Sequence, residues 1–289
     1  MKGETHLMND IYTQIAKNYD AMSKTYKKIA DYILKNPVAA SFLTVGKLAC
    51  QAGVSEASII RFANFLGFSG YSALQKVMQD HTQSKMDTRQ RLTLSYSAYN
   101  DKEDGVRQVF SEEADNLSQT LKELDMEAFF KAADALAQAK RVVILCARSA
   151  VGLGLFFQYY LKLSVPQVYL IQDFQNNEEL LGSLGKEDVV FSLSFKRYAA
   201  RTVRLTEYAS RKDCFIIALT DFMTSPLIRY SDCYLLARTR LFTYLDSFIA
   251  PQAIINALLI TLGRRKNKAL EKHFAQMENI WSEMEVFIE

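Results

Sequence analysis

Apolar residues in the first third of the chain recur at helical spacing. Met22, Tyr26, Ile29 and Ile33 share one face of a predicted helix, and Pro37 ends that helix. The next apolar clusters are shorter and are separated by Gly53. We therefore predict a compact all-helical region with helices over 7–18, 22–35, 45–52 and 56–66 and a closing helix from Tyr71.

The stretch from Thr44 to Gly67 reads as two short helices joined by a tight turn. Gly53 can adopt the left-handed backbone that ends the first helix, and Ser55 can cap the amino end of the second. At 100° per residue, one side of the second helix is apolar and must pack inward. Its members are Ile59, Phe62, Ala63 and Leu66.

The opposite side of this second helix is centred on Ala57, Arg61 and Asn64, with Ser58 and Phe65 on its flanks. A small residue, an arginine and an amide suit close approach to base edges and phosphates. An ordinary helical hairpin with a solvated outer face is the alternative. The candidate DNA-binding residues are Lys47, Ser55, Ala57, Ser58, Arg61, Asn64 and Lys76.

Charge supports the DNA-binding interpretation to a modest degree. Residues 21–80 carry seven Lys and Arg residues against three Asp and Glu residues, whereas the whole chain has a net charge of only +3. A basic amino-terminal region on a near-neutral body is compatible with a nucleic-acid partner.

The pattern changes further along the chain. Residues 81–102 are polar without sustained periodicity, which indicates a linker, and a helix with apolar positions from Phe110 to Leu124 follows. This helix could bridge domains or pack against a second copy. From Asp125, helices alternate with near-continuous apolar strands, which predicts a parallel sheet covered on both faces. The predicted strands are 141–146, 167–171, 189–193, 215–220 and 233–236, and residues 264–289 form a last amphipathic helix.

These patterns predict two domains. Residues 1–80 form an all-α helix-turn-helix domain, 81–124 a linker and connecting helix, and 125–289 an α/β domain with a five-stranded parallel sheet between helices.

Three strand ends in the sheet domain carry hydroxyl groups or cations next to a helix start. Such loops form anion sites at the carboxyl edge of a parallel sheet. For any single loop the alternative is that these residues only cap helices. The loop after the fourth strand contributes Thr220 and Asp221. The candidate effector-binding residues are Arg148, Ser149, Ser192, Ser194, Arg197 and Thr202.

The sequence gives little support for catalysis or for metal or cofactor binding. The three histidines, at 6, 81 and 273, lie outside the predicted sheet, and no metal-ligand spacing is visible, so we expect no catalytic residue, no metal and no cofactor. Glu178, Glu179, Glu187 and Glu207 are the remaining candidates for a general base. The four cysteines lack any Cys-x-x-Cys pair, and we predict buried thiols. No signal-peptide core or membrane span is visible, which predicts a cytoplasmic protein.

The residues of both halves together resemble the RpiR family of bacterial transcriptional regulators, in which a helix-turn-helix domain precedes a sugar isomerase (SIS) domain. The marks are KKIADYILKNP and TVGKLACQAGVSEASIIRFANFLGFSGY, then ARSAVGLG, SFKRY and TDFMTSPLIRYSD. The resemblance implies a homodimer or homotetramer that binds operator DNA, and a sugar phosphate or related metabolite whose binding changes the DNA affinity.

The chain departs from the SIS pattern at two loops. Typical SIS domains have Gly-x-Gly-x-Ser after the first strand and Ser-x-Ser-Gly-x-Thr after a later one. In this chain the first loop reads Cys146-Ala-Arg148-Ser149. The second loop reads Ser192-Leu-Ser194 followed by Phe-Lys-Arg197. Without those glycines, we expect backbone N–H groups to approach a phosphate less closely. Arg148 and Arg197 can still grip an anionic group with their guanidinium groups.

The sequence therefore predicts a DNA-binding regulator of carbohydrate or related metabolic genes, not an enzyme, which recognises an inverted-repeat operator and an anionic effector. The rival from another class is a sugar-phosphate isomerase with a fused helical module. A third possibility is an assembly protein whose helical region binds protein. Steep weakening of binding with salt would distinguish DNA from a protein partner.

Overall fold

The computed structural model of the chain describes residues 11–241 and 243–287, apart from the side chains of 80, 83–85, 97, 267–269, 272 and 273. The chain divides after Thr93 into two compact units. Each unit has its own hydrophobic core.

The first unit is all-helical, as predicted. Its helices are α1 (Ile11–Asn18), α2 (Lys24–Lys35), α3 (Pro37–Phe42), α4 (Val45–Ala52), α5 (Glu56–Phe65) and α6 (Tyr71–Lys85), and α7 (Thr88–Ala98) crosses the division between the units. The predicted helix over 7–18 is observed from Ile11, and residues 7–10 lie outside the described part of the chain. Helix α3 was not predicted, although Pro37 at its first position is a favourable helix start.

Residues 81–102 were predicted to be an aperiodic linker, and that prediction is wrong for most of the segment. Helix α6 continues to Lys85, and α7 occupies Thr88–Ala98. The signal that sequence reasoning missed is a reciprocal cap at the start of α7. Asp87 Oδ1 accepts the backbone N–H of Gln90 at 2.8 Å, and Gln90 Oε1 accepts the backbone N–H of Asp87 at 2.9 Å. This exchange satisfies two amide groups that a helix start otherwise leaves unpaired.

The second unit contains a connecting helix, a sheet and the helices that cover it. The helices are α8 (Glu103–Glu123), α9 (Met126–Gln138), α10 (Val151–Leu161), α11 (Glu178–Gly182), α12 (Ala200–Ala209), α13 (Ile249–Arg265) and α14 (Asn267–Glu283). The strands are β1 (Arg141–Cys146), β2 (Gln167–Ile171), β3 (Asp188–Leu193), β4 (Phe215–Thr220) and β5 (Cys233–Leu236). All five predicted strands are therefore confirmed, and the predicted last helix ends before Ile288, which lies outside the described residues.

The five strands form one parallel sheet in the order β2-β1-β3-β4-β5. Side chains alternate between its two faces. Val142 and Ile144 face a core shared with α9, α10 and α13, whereas Val143 and Leu145 face a second core shared with α11 and α12. The sheet is thus covered on both faces, which leaves its carboxyl edge as the place for a ligand.

Candidate nucleic-acid interface and anion site

Local capping groups fix the two helices α4 and α5. The Thr44 hydroxyl accepts the backbone N–H of Lys47 at 3.3 Å at the start of α4. Gly53 ends that helix with a φ of +64°, in the left-handed region predicted for it. The Ser55 hydroxyl accepts the backbone N–H of Ser58 at 3.3 Å, which confirms Ser55 as the cap of α5.

Helix α5 has the two faces that the periodicity predicted. Ile59, Phe62, Ala63 and Leu66 are buried in the core of the first unit. Ala57, Arg61 and Asn64 are exposed on the other side, and Ser58 is partly exposed. An exposed helix face of this kind is what a major groove admits.

The other candidate DNA-binding residues flank this face in the sequence. Lys47 on α4 and Ser55 at the turn are exposed, and Lys76 on α6 is half-buried. Helix α6 is tied to the turn before α4, because Tyr71 Oη and Gln75 Nε2 each donate a hydrogen bond to the Leu43 carbonyl oxygen at 2.7 Å.

Sequence reasoning missed one residue on the exposed face of α5. Ile60 is 44% exposed, although an isoleucine is normally assigned to the core. It lies three residues after Ala57 and next to Arg61, outside the arc that Ile59 and Phe62 define. An exposed apolar side chain on such a face can contact the methyl group of thymine.

The anion site begins with the topology of the sheet. The chain runs outward from β1 to β2 and then returns to β3 on the other side of β1. In parallel sheets, ligands bind in the crevice at the point where the strand order reverses. Because Cys146 and Leu193 are register partners at the carboxyl ends of β1 and β3, the loops that follow these strands lie side by side.

The loop after β1 carries two predicted effector-binding residues, and both are exposed. Arg148 has a φ of +57°, and Ser149 Oγ donates a hydrogen bond to Asp246 Oδ2 at 3.0 Å. Asp246 precedes α13, so this contact joins the β1 loop to a distant segment of the same unit. Sequence reasoning did not identify Asp246.

The loop after β3 is fixed at several atoms. Ser194 Oγ accepts the backbone N–H of Ala199 at 3.1 Å, and the Ser194 carbonyl oxygen accepts the Thr220 hydroxyl at 2.7 Å. Between these anchors, Arg197 is exposed and has a φ of +65°. Arg148 and Arg197 thus adopt, in the two loops that lack the expected glycines, the backbone conformation that favours glycine.

Two of the predicted effector-binding residues, Ser192 near the end of β3 and Thr202 in the first turn of α12, are buried. Ser192 is fully buried, and its hydroxyl pairs with that of Thr206 at 2.8 Å between β3 and α12. The Thr202 hydroxyl is buried without a hydrogen-bond partner among the described residues. The structure therefore exposes Arg148, Ser149 and Arg197 in the two neighbouring loops, whereas Ser192, Ser194 and Thr202 are buried.

Charge at this edge is mostly positive. Arg148 and Arg197 are exposed, and Lys196 Nζ lies 4.6 Å from the centre of the Phe222 ring. The acidic Asp221 is 4% exposed. Burial raises the pKa of Asp221, and hydrogen bonds from the Lys196 N–H and the Tyr198 hydroxyl oppose that shift. An anionic ligand at this edge would meet the two exposed guanidinium groups and, beside Ser149, the half-buried Asp246 carboxylate.

Two other predictions concern the thiols and the metal. Cys146, Cys214 and Cys233 are buried as predicted, but Cys50 is exposed on α4, so the prediction of four buried thiols is wrong there. Burial raises the pKa of Cys146 to about 12.

Within residues 11–241 and 243–287, no group of His, Cys, Asp and Glu side chains is arranged to hold a metal ion. Over the same ranges, every helix is too short or too polar to cross a membrane.

Comparison with known families agrees with this division of the chain. Residues 9–85 match the helix-turn-helix domain of the rpiR family, and residues 135–261 match the SIS domain. The chain is 25% identical over 281 residues to the HTH-type transcriptional regulator HexR of Pseudomonas aeruginosa, and the match covers 94% of this chain and 95% of HexR.

Two solved structures are similar in fold. One is the sugar isomerase domain of an RpiR transcription factor from Sphaerobacter thermophilus, with a TM-score of 0.57 and 25% identity, covering 60% of this chain and 97% of that one. The other is Vibrio vulnificus NanR complexed with ManNAc-6P, with a TM-score of 0.55 and 18% identity, covering 95% of this chain and 98% of that one.

Proposed function

Because the chain belongs to the RpiR family, with its helix-turn-helix domain followed by an SIS domain, we propose that it is a cytoplasmic transcriptional regulator of carbohydrate or related metabolic genes. In this proposal α5 reads operator DNA, and an anionic metabolite such as a sugar phosphate binds the SIS domain. Effector binding changes DNA affinity by favouring one arrangement of the DNA-reading helices.

The exposed face of α5 is the observation that carries the DNA-binding half of the proposal. Arg61 contacts a base edge or a phosphate, and Asn64 reads a base. Ala57 permits close approach of the helix, while Ser55 and Ser58 hold its start. Lys47 and Lys76 anchor phosphates, which positions the helix without reading sequence.

Arg61→Ala tests this half directly. We expect operator binding to weaken by about 1–3 kcal/mol, as for a good groove contact. The operator is first obtained by genome-wide immunoprecipitation of the tagged protein, and affinity is then measured at one fixed salt concentration. Arg89→Ala is the matched control, since Arg89 is an exposed arginine on α7, outside the helix-turn-helix. Equal affinity of the Arg61→Ala variant and the unmodified protein would remove Arg61 from the interface.

The effector half of the proposal is supported by Arg148, Ser149, Ser194 and Arg197 at the reversal point of the strand order. Two exposed guanidinium groups suit a phosphate or a carboxylate, since each can bind such a group through two hydrogen bonds. The related fold of NanR was solved with a phosphorylated sugar, ManNAc-6P, which supports the same class of ligand here. Because the similar proteins are named as transcriptional regulators, we expect the SIS domain to bind its ligand without converting it.

Helix α10 supports the expectation of a homodimer or homotetramer. It has no charged residue from Val151 to Leu161, yet Leu155, Tyr159 and Tyr160 are exposed. A helix that is apolar on all sides is normally buried, so we assign this surface to a second copy. Two copies would present two α5 helices to half-sites of an inverted repeat. Tyr159→Glu should shift the sedimentation coefficient towards that of a monomer, and an unchanged value would exclude this surface.

A further inference from the structure

One carboxylate holds both neighbours of Arg197. Asp221 Oδ2 accepts the backbone N–H of Lys196 at 2.8 Å, and Asp221 Oδ1 accepts the Tyr198 hydroxyl at 3.0 Å. Asp221 follows β4, so the contact joins the loop after β3 to the neighbouring strand of the sheet. Arg197 lies between these two contacts, with its φ of +65°.

A left-handed backbone at an arginine needs such support. The conformation costs about 1–3 kcal/mol for a residue with a side chain and persists only where the surroundings impose it. Ser194 and Ala199 fix the ends of the loop, but their hydrogen bonds do not act on the residues next to Arg197. The contacts of Asp221 do act on both neighbours, Lys196 and Tyr198, and they come from the neighbouring strand of the sheet.

We propose that Asp221 is a positioning residue for the effector site: it holds Arg197 in the left-handed conformation that presents this residue to an anion at the carboxyl edge of the sheet. This inference rests on the proposed function of that edge as an anion site. Asp221 does not itself touch the anion, because its side chain is buried.

The energetics of Asp221 agree with a role beyond stability. Its hydrogen-bond donors are the Lys196 backbone amide, the Tyr198 phenol and, at 3.4 Å, the Thr239 hydroxyl, which are neutral groups. Burial raises the pKa of the Asp221 carboxyl group because it disfavours the charged form, and the hydrogen bonds from the Lys196 N–H and the Tyr198 hydroxyl oppose that shift. Such groups are common at functional sites, where geometry matters more than stability.

The test is a double-mutant cycle between Asp221 and Arg197 in the full-length chain. Inorganic phosphate is titrated into the protein, into Asp221→Asn, into Arg197→Gly and into the double variant, and the backbone amide signals of both loops are followed by NMR. Arg197→Gly removes the guanidinium group and also the cost of a positive φ. If Asp221 acts through Arg197, its substitution has no further effect in that background.

Two further variants keep the result interpretable. Asp188→Asn is the control for the loss of a buried carboxylate far from the anion site: Asp188 is 7% exposed at the opposite edge of the sheet, where it accepts the backbone N–H of Gly185 at 2.8 Å and pairs with the Arg141 guanidinium group. This substitution also breaks that ion pair, so it should lower stability without reaching the anion site. Tyr198→Phe removes only one contact of Asp221 and serves if Asp221→Asn does not fold. The melting temperature of each variant is measured alongside, so that a loss of stability is seen separately.

We expect Asp221→Asn to weaken phosphate binding about tenfold in the unmodified background and less than about twofold in the Arg197→Gly background. Tyr198→Phe should weaken it by about threefold, and Asp188→Asn should leave it unchanged. An equal loss in both backgrounds, or no loss, would overturn the positioning role while leaving the anion site intact. Absence of phosphate binding by the unmodified protein would instead overturn the anion site itself.

Discussion

The exposed face of α5 and the loop after β3 both present an arginine, but they are built in different ways. Arg61 lies on a regular helix whose cap, Ser55, is six residues away in the chain. Arg197 lies in a left-handed conformation held by Asp221, which is distant in sequence and follows another strand. A helix face needs only local signals, whereas this loop needs the assembled sheet.

This difference indicates which substitutions should disturb each surface. The α5 face depends on its own buried side and on its cap, so changes at those positions should affect it most. The two arginine-bearing loops depend on the packing of helices and strands around them. The four predictions below test this contrast, and they run from the largest expected effect to the smallest.

Phe62→Ala should remove most of the support of the α5 face. Phe62 is fully buried, and we expect a loss of about 3–5 kcal/mol in the free energy of unfolding of the first unit. Hydrogen exchange measured by mass spectrometry separates the two units, which need not unfold together. Phe65→Ala is the control, since Phe65 is 40% exposed on the same helix and should cost far less. Similar losses from both variants would contradict the assigned orientation of α5.

Gly154→Ala tests the packing behind the β1 loop. A Cβ atom at Gly154 would lie 2.6 Å from Cys146 Sγ and 2.9 Å from Leu170 Cδ1, so either these buried side chains or α10 itself must shift. We expect a loss of about 1–3 kcal/mol in the stability of the second unit, measured by urea unfolding with Trp281 fluorescence. A Cβ atom at Gly152 meets no atom within 4 Å, and Gly152→Ala should be neutral or slightly stabilising. A stable Gly154→Ala variant would show that α10 does not need this close approach.

Ser55→Ala removes the cap of α5. Because the backbone N–H of Ser58 loses the capping hydroxyl and keeps only the Ser55 carbonyl oxygen at 2.9 Å, we expect the first unit to lose about 1 kcal/mol of stability. Faster hydrogen exchange should be confined to the first turn of α5. Ser55→Thr keeps a hydroxyl group and should retain most of the protection from hydrogen exchange. Equally fast exchange in Ser55→Ala and Ser55→Thr would argue against a capping role.

Arg148→Gly should have the smallest effect, and its sign should be opposite. Glycine relieves the positive φ at this position but increases the freedom of the unfolded chain, so the second unit should gain less than about 1 kcal/mol. Arg148→Ala keeps the strain and should gain nothing. Both variants should bind phosphate more weakly, because the guanidinium group is lost. A clear loss of stability in Arg148→Gly would show that the side chain supports the fold.

Much of the fold follows from local sequence signals. The five strands and the helices α4 and α5 begin and end close to their predicted positions, because apolar periodicity and caps act over a few residues. The segment 81–102 shows the limit of that approach. Its periodicity is weak, so the cap between Asp87 and Gln90 was the only strong local signal for α7.

The two candidate sites likewise differ in how far local sequence signals predict them. The sequence by itself determined the outward face of α5, since 100° per residue separates Arg61 from Phe62 whatever the rest of the chain does. Only the tertiary structure decided that Ser192 turns inward to Thr206, that Ser149 meets Asp246, and that Asp221 holds the backbone at Arg197. These contacts join residues from different strands and loops, so the order of the strands in the sheet, rather than local spacing, brings them together.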